Sequence, residues 1–124
     1  GCLECISGSH LSNILHKPKR FNGNDLYEND NSIEVPDINA NRNDYKILSW
    51  EIKAGDAIAF DFRTLHGASE NVNKLNRRRI FSARVVGDDA FFVDRGGKGS
   101  PPFENIKLKT GDKLIGEEFP IIYQ

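Results

Sequence analysis

One histidine and a block of three arginines carry the clearest chemical signal in the sequence. His66 lies in the stretch RTLHGASEN, directly after the apolar run AIAFDF, and Arg77, Arg78 and Arg79 follow it. A histidine just past a strand can project into the mouth of a β-barrel, where non-haem Fe(II) enzymes hold iron with two histidines and one carboxylate. Arg77, eleven residues further on, can donate two hydrogen bonds to a carboxylate of an anionic co-substrate.

Each of these residues also has an ordinary explanation, which the spacing alone leaves open. His66 can be a loop histidine that makes a single hydrogen bond, and the arginines can form a solvated basic edge. If residues 77–86 form a strand, Arg77 and Arg79 share one face and Arg78 lies on the other, so at most one or two point inward. A nucleic-acid surface is a third interpretation, which the short run without interleaved aromatic residues does not favour.

The other metal-binding residue types do not form a recognisable site. His10 and His16 lie six residues apart in a predicted loop, and no H-x-D, H-x-E or H-E-x-x-H occurs in the 124 residues. Cys2 and Cys5 form one C-x-x-C without the second pair that a zinc site usually needs. On a strand they point to opposite faces, so we predict two unpaired thiols, which fits a reducing, cytoplasmic compartment.

Composition predicts a single globular domain over residues 1–124. The 17 basic and 18 acidic residues nearly balance, with a net charge of −1, so we expect neither a nucleic-acid partner nor an anionic membrane. No apolar run of about 18 residues predicts a transmembrane helix. The chain has no methionine and begins in a predicted strand, so we expect it to be part of a longer protein.

The predicted elements are short strands that would position the His66 loop. Residues 17–45 are polar and rich in asparagine, and we interpret them as a lid-like insertion that sets substrate specificity. No amphipathic helix of ten or more residues is visible, and the pattern predicts an all-β sandwich or jelly roll. The predicted strands cover residues 3–6, 46–53, 57–62, 78–86 and 88–94.

Four ordered motifs together resemble one enzyme family. GCLECISGSH is similar to the pattern G-C-L-x-x-x-P-G-S-H, with Ser7 in place of proline, and AGDAIAFDFRTLHGASEN to G-D-x-x-x-F-x-x-x-x-x-H-G-S-x-x-N. The last part of the chain resembles the C-terminal region of many bacterial members of the same family, in RRRIFSARVVGDDAFFVDR and then in SPPF, GDKL and FP. The chain thus resembles the C-terminal half of the phytanoyl-CoA dioxygenase family, oxygenases that depend on Fe(II) and 2-oxoglutarate.

The resemblance implies a fold and roles for individual residues. The family fold is a double-stranded β-helix, a cupin-like jelly roll, of which this chain would supply the later strands. His66 matches an iron-ligand histidine, and Arg77 matches the arginine that binds the 2-oxoglutarate carboxylate, with Arg78 or Arg79 as alternatives. Asn71 matches an asparagine that shapes the loop, and Ala68 replaces a serine that often contacts the co-substrate.

The family's H-x-D, which supplies the other histidine and the carboxylate, is not in this chain. The resemblance therefore implies a fragment of a dioxygenase that hydroxylates a small-molecule substrate, and we expect the isolated chain to be inactive. The alternative is a metal-free jelly-roll module that binds without catalysis. A third hypothesis is a half-barrel that forms a homodimer through its exposed strand edges.

Overall fold

The computed structural model describes residues 1–20, 22–27, 31–72, 75, 78–96, 99 and 102–123. The chain forms two compact units, each assembled from two segments. The first contains Gly1–His16 and Ile33–Ile80, and the second contains Lys17–Ser32 and Phe81–Gln124. The polar segment predicted as a lid, residues 17–45, is thus divided between the two units.

The first unit is organised around a three-stranded antiparallel sheet. Its strands are β1 (Leu3–Ile6), β2 (Ile47–Ser49) and β3 (His66–Ala68), in the order β2-β1-β3. Cys5 pairs with Leu48 on one side and with His66 on the other. Directly paired residues share a face of a sheet, so these three side chains lie on one face, with Cys5 in the middle.

Cys5 has the smallest exposed fraction in the described part of the chain, 3%. Burial raises the pKa of its thiol, so the group stays protonated and behaves as a small apolar side chain. Cys2 is exposed, and neither cysteine forms a disulfide, which confirms the prediction of two unpaired thiols.

Two short 3₁₀ helices flank the strands of this sheet. One, Ser9–Leu11, follows β1 after a turn at Gly8, and the other, Arg42–Asp44, precedes β2. Arg42 donates from Nη1 and Nη2 to the two carboxylate oxygens of Glu4 on β1, at 3.0 and 2.9 Å. This bidentate ion pair links the segment before β2 to the central strand, β1.

The strand predictions are only partly confirmed. Residues 3–6 form the predicted strand, whereas the strand predicted over 46–53 is shortened to Ile47–Ser49. The strands predicted over 57–62 and 78–86 were wrong, because both runs are described and neither pairs in a β-ladder. Alternating apolar residues show that a segment could bury one face as a strand. A strand also needs a neighbouring strand to pair with its backbone N–H and C=O groups, and the pattern does not supply one.

The second unit is held by local pairings. Phe91 and Lys113 form an antiparallel bridge, in place of the strand predicted over 88–94. Beside the bridge, the Phe92 N–H donates to Asp112 O at 2.8 Å, and Phe92 O accepts from the Gly111 N–H at 2.9 Å. The Phe103 ring lies 5.2 Å from the Phe119 ring, centroid to centroid.

Exposed apolar side chains are frequent in both units. Phe62 is 83% exposed and Phe81 is 91% exposed, and only Cys5 and Thr64 count as buried among the described residues. The described part of the chain therefore has a small core, and its strands form one three-stranded sheet. In the same part of the chain, no helix has the length and apolar character needed to cross a membrane.

One turn occurs in both units, in the sequences KAGD and KTGD. In each turn the aspartate N–H donates to the lysine carbonyl, and the aspartate carboxylate accepts from the lysine N–H at 2.7 Å. The glycines, Gly55 and Gly111, have φ angles of 102° and 96°, in the region where a Cβ is unfavourable. The first of these turns leads into the run that ends at the His66 loop.

We expect Gly55→Ala to lower the free energy of unfolding of the first unit by about 1–2 kcal/mol, because alanine is strained at this φ. A Cβ at Gly55 would meet no atom within 4 Å, so the cost is a backbone cost. Urea unfolding followed by the fluorescence of Trp50 measures it. Gly67→Ala is the control, since Gly67 lies in β3 with equal space and without a positive φ. Equal destabilisation by both changes would contradict the turn argument.

Candidate metal site

His66 is placed by the pairing of β1 with β3. It is the first residue of β3 and lies opposite Cys5. The carbonyl of the preceding residue, Leu65, accepts a hydrogen bond from the Ile6 N–H at 2.9 Å. This bond extends the contact between β1 and β3 by one residue beyond the ladder. A turn precedes this segment, in which the Thr64 N–H donates to Asp61 O at 2.9 Å.

The imidazole of His66 has one nitrogen engaged by the backbone. Its Nδ1 lies 2.7 Å from Thr64 O, and Thr64 itself is buried, with 8% of its surface exposed. A carbonyl oxygen only accepts, so Nδ1 carries the hydrogen and the neutral ring has its lone pair on Nε2. Histidines that bind metals usually donate their other ring N–H to a carbonyl or carboxylate in this way. In this tautomer, Nε2 is the ring nitrogen that could bind a metal.

An aromatic ring lies against the imidazole of His66. The centroid of Phe60 is 4.8 Å from that of His66, and the two planes are inclined at 56°. Both side chains are partly open to solvent, with Phe60 42% exposed. Phe60 therefore restricts one side of the imidazole and leaves the site accessible.

The charged groups before His66 neutralise each other. Arg63 donates to the Asp61 carboxylate from its backbone N–H at 2.8 Å, from Nε at 3.1 Å and from Nη2 at 3.2 Å. These bonds, with a smaller effect of the nearby His10, lower the pKa of Asp61 to about 2. Because the Arg63 guanidinium is already paired with a carboxylate, it is a poor candidate for binding the carboxylate of a co-substrate.

The predicted co-substrate arginine, Arg77, lies outside the described residues. Arg78 and Arg79 are described, and both are exposed in a segment that forms no strand. The alternation of faces expected for them therefore does not apply.

The other two histidines have different surroundings. His10 lies in the 3₁₀ helix after β1 and is close enough to Asp61 for its charge to lower the pKa of that carboxyl. His16 lies near the backbone of the following segment, with Nδ1 3.2 Å from Glu34 O and a β-bridge to Ile33. Nothing in these contacts assigns either histidine to a metal.

The donor set within the described residues does not complete an iron site. No group of three or more His, Cys, Asp or Glu side chains able to hold a metal ion occurs in the part of the chain that the structure describes. Facial Fe(II) sites need two histidines and a carboxylate. His66 fits one of those three positions, and the other two are not met here.

Sequence reasoning missed the polar groups that support His66. Thr64 supplies the carbonyl that orients the ring, and the Ser9 hydroxyl accepts the Leu65 N–H at 2.9 Å. A signal for Ser9 was present, because serine after a turn glycine often bonds to nearby backbone. Its partner 56 residues away could not be identified from that signal.

A comparison with protein families decides the relationship of this chain. The family model for phytanoyl-CoA dioxygenase (PhyH) matches residues 1–80 of the 124. The chain belongs to the phytanoyl-CoA dioxygenase family. No curated protein and no solved structure matches it.

The match to the phytanoyl-CoA dioxygenase family covers all three strands of the sheet and the His66 loop. It ends at Ile80, so the block Arg77–Arg79 is inside the match. Residues 81–124 are outside it, and their resemblance to the tail of bacterial members stays a prediction. The part of the chain that carries the sheet is thus the part that carries the family relationship.

We expect Arg63→Gln to raise the pKa of Asp61 from about 2 towards its ordinary value of 3.8, because the guanidinium bonds are lost. The lowered pKa means that the pair stabilises the folded chain above pH 3.8, and that this contribution is lost as the pH falls towards 2. NMR titration of the Asp61 carboxyl carbon measures the change.

The matched control for this titration is Arg42→Gln. Arg42 lowers the pKa of Glu4 chiefly by hydrogen bonding, so its loss should raise the pKa of Glu4 and leave Asp61 unchanged. If Asp61 titrates at the same pH with and without Arg63, the ion pair before His66 is not present in solution.

Proposed function

We propose that this chain is the C-terminal part of a non-haem Fe(II)- and 2-oxoglutarate-dependent dioxygenase that hydroxylates a small-molecule substrate, with His66 as an iron ligand. The observation that carries this proposal is the hydrogen bond from His66 Nδ1 to Thr64 O, which leaves Nε2 for a metal. Membership of the phytanoyl-CoA dioxygenase family supports the cofactors.

Each residue of the chain has a limited part in this proposal. His66 binds Fe(II) through Nε2, and Phe60 restricts the imidazole on one side. Arg77 binds the distal carboxylate of 2-oxoglutarate, with Arg78 and Arg79 as the alternatives. Bound iron and 2-oxoglutarate would activate O₂, which is the oxidant for hydroxylation, while the protein orients the reactants and limits water access.

The missing ligands come from outside this chain in the proposal. No H-x-D occurs in the 124 residues, and the described residues offer no cluster of three metal-binding side chains. A single histidine holds Fe(II) too weakly for catalysis, so the isolated chain is inactive as a hydroxylase. The complete protein supplies the second histidine and the carboxylate.

The proposed fold of the complete protein is a jelly roll, to which this chain contributes the later strands. The sheet β2-β1-β3 is antiparallel, and exposed apolar side chains such as Phe62 are available for a second layer. Residues 17–45 act as a lid over the substrate. The free Cys2 and Cys5 thiols support a reducing, cytoplasmic compartment.

The chain alone has a further proposed behaviour, pairing with a second copy. Strands β2 and β3 are the outer strands of the sheet, so each has one side that can accept another strand. A second copy could extend the sheet at either edge. Mass in solution tests this, and a monomer at all concentrations would rule the homodimer out.

A metal-free binding module is the second candidate function. The observation that favours it is the lack of a complete metal-binding cluster in the described residues. In that case the His66 ring would be an oriented surface group with no catalytic part. The two candidates differ in whether the complete protein binds Fe(II).

We expect anaerobic titration with Fe(II) and 2-oxoglutarate to give a weak visible charge-transfer band in the complete protein, and no band in this chain. His66→Ala should abolish the band, because one of three protein ligands is lost. The control is His16→Ala, since His16 contacts the backbone of Glu34 and should leave the band intact. A complete protein without a band would establish the metal-free module.

We expect Arg77→Gln to raise the 2-oxoglutarate concentration for half-maximal band intensity by about 10- to 150-fold, the effect of one lost charged hydrogen-bonded contact. Arg84→Gln is the control, because Arg84 is an exposed arginine outside the residues that the family model matches. The same titration of Arg78→Gln and Arg79→Gln tests the alternatives. An unchanged titration for Arg77→Gln and a large shift for one of the others would reassign the role.

A further inference from the structure

Both backbone polar groups of Leu65, the residue before His66, are held by the last residue of β1 and the turn that follows it. The Leu65 carbonyl accepts from the Ile6 N–H at 2.9 Å, and the Leu65 N–H donates to Ser9 Oγ at 2.9 Å. The second contact joins residues 56 apart in the sequence. It is a side-chain bond placed where the β1–β3 ladder has already ended.

The Ser9 hydroxyl has its donor and acceptor roles fixed by its neighbours. It donates to Ile6 O at 2.8 Å, because a carbonyl only accepts, and it uses a lone pair for the Leu65 N–H. Ser9 begins the short 3₁₀ helix after Gly8, which has a φ of 76°. The hydroxyl therefore bridges the end of β1 and the entry to β3.

The Leu65 end of this bridge is connected to the imidazole of His66 through the backbone. Leu65 lies between Thr64, whose carbonyl accepts from His66 Nδ1 at 2.7 Å, and His66 itself. The Thr64 carbonyl and the Leu65 N–H belong to one planar peptide unit. Any rotation of that plane about the flanking backbone bonds would therefore move both groups together. Holding the Leu65 N–H thus also holds the Thr64 carbonyl.

We propose that Ser9 is the positioning residue of His66. Its hydroxyl fixes the Thr64–Leu65 peptide, so that the Thr64 carbonyl keeps the His66 ring in the Nδ1–H form with Nε2 available. The inference rests on the proposed function for its catalytic meaning, since Nε2 matters there as an iron ligand. Ser9 touches neither metal nor substrate in this proposal.

The test compares Ser9→Ala with Ser12→Ala by NMR on this chain without metal. Ser12 lies in the same turn and donates its hydroxyl to Ser9 O at 2.7 Å, so it is a matched hydroxyl that does not reach Leu65. We expect Ser9→Ala to speed hydrogen exchange of the Leu65 amide about five- to tenfold, the effect of one lost hydrogen bond. Ser12→Ala should leave that amide unchanged.

The second measurement is the tautomer of His66. Long-range NMR correlations between the ring nitrogens and the ring protons identify it at a pH where the imidazole is neutral. The unmodified chain should show the Nδ1–H form. Ser9→Ala should shift the ring towards the Nε2–H form, which unconstrained imidazole favours, whereas Ser9→Thr should restore the Nδ1–H form by keeping a hydroxyl. Unchanged amides in β1 and β2 show that the sheet survives the substitution.

Two results would overturn the inference. One is an unchanged Leu65 amide in Ser9→Ala. The other is a faster Leu65 amide with an unchanged His66 tautomer, which would make Ser9 a purely structural residue. Failure of the proposed function is seen elsewhere, in the iron titration of the complete protein, because both readings here are taken without metal.

Discussion

The pairing of β1 with strands on both of its sides is the constraint on which the described site depends. β1 is the central strand, and one of its residues, Cys5, lies opposite both Leu48 and His66. Without that pairing, the loop that ends at His66 would have no fixed position relative to the turn after β1. The two-pronged bond between Glu4 and Arg42 adds a charged contact on the β2 side, where the chain returns from the polar segment.

Around His66, the chain uses backbone groups and short side chains to do the orienting. The carbonyl of Thr64 holds one ring nitrogen, while the Asp61–Arg63 pair removes net charge from the loop before it. Such an arrangement can present one metal ligand in a defined orientation, but it does not by itself bind a metal. The family relationship over residues 1–80 supports the proposal that His66 is a metal ligand.

The sequence predicted the local features of this site and failed for those that need a distant partner. The strand at Leu3–Ile6 and the unpaired thiols follow from short patterns, and the structure confirms them. The runs at 57–62 and 78–86 have the same strand-like alternation, yet they form no ladder in the described chain. Pairing is a property of two segments, and no pattern within one segment determines it. The bond from Leu65 to Ser9 was missed for the same reason.

The central claim, that His66 is prepared to bind a metal through Nε2, is tested most directly by proton NMR of the complete protein loaded with Co(II) in place of iron. An exchangeable Nδ1–H proton of a histidine bound through Nε2 shows a large paramagnetic shift. We expect a resonance of this kind that disappears in His66→Ala and persists in His16→Ala. A His66 ring without a paramagnetic shift, in a protein that binds Co(II) elsewhere, would show that His66 is not a metal ligand.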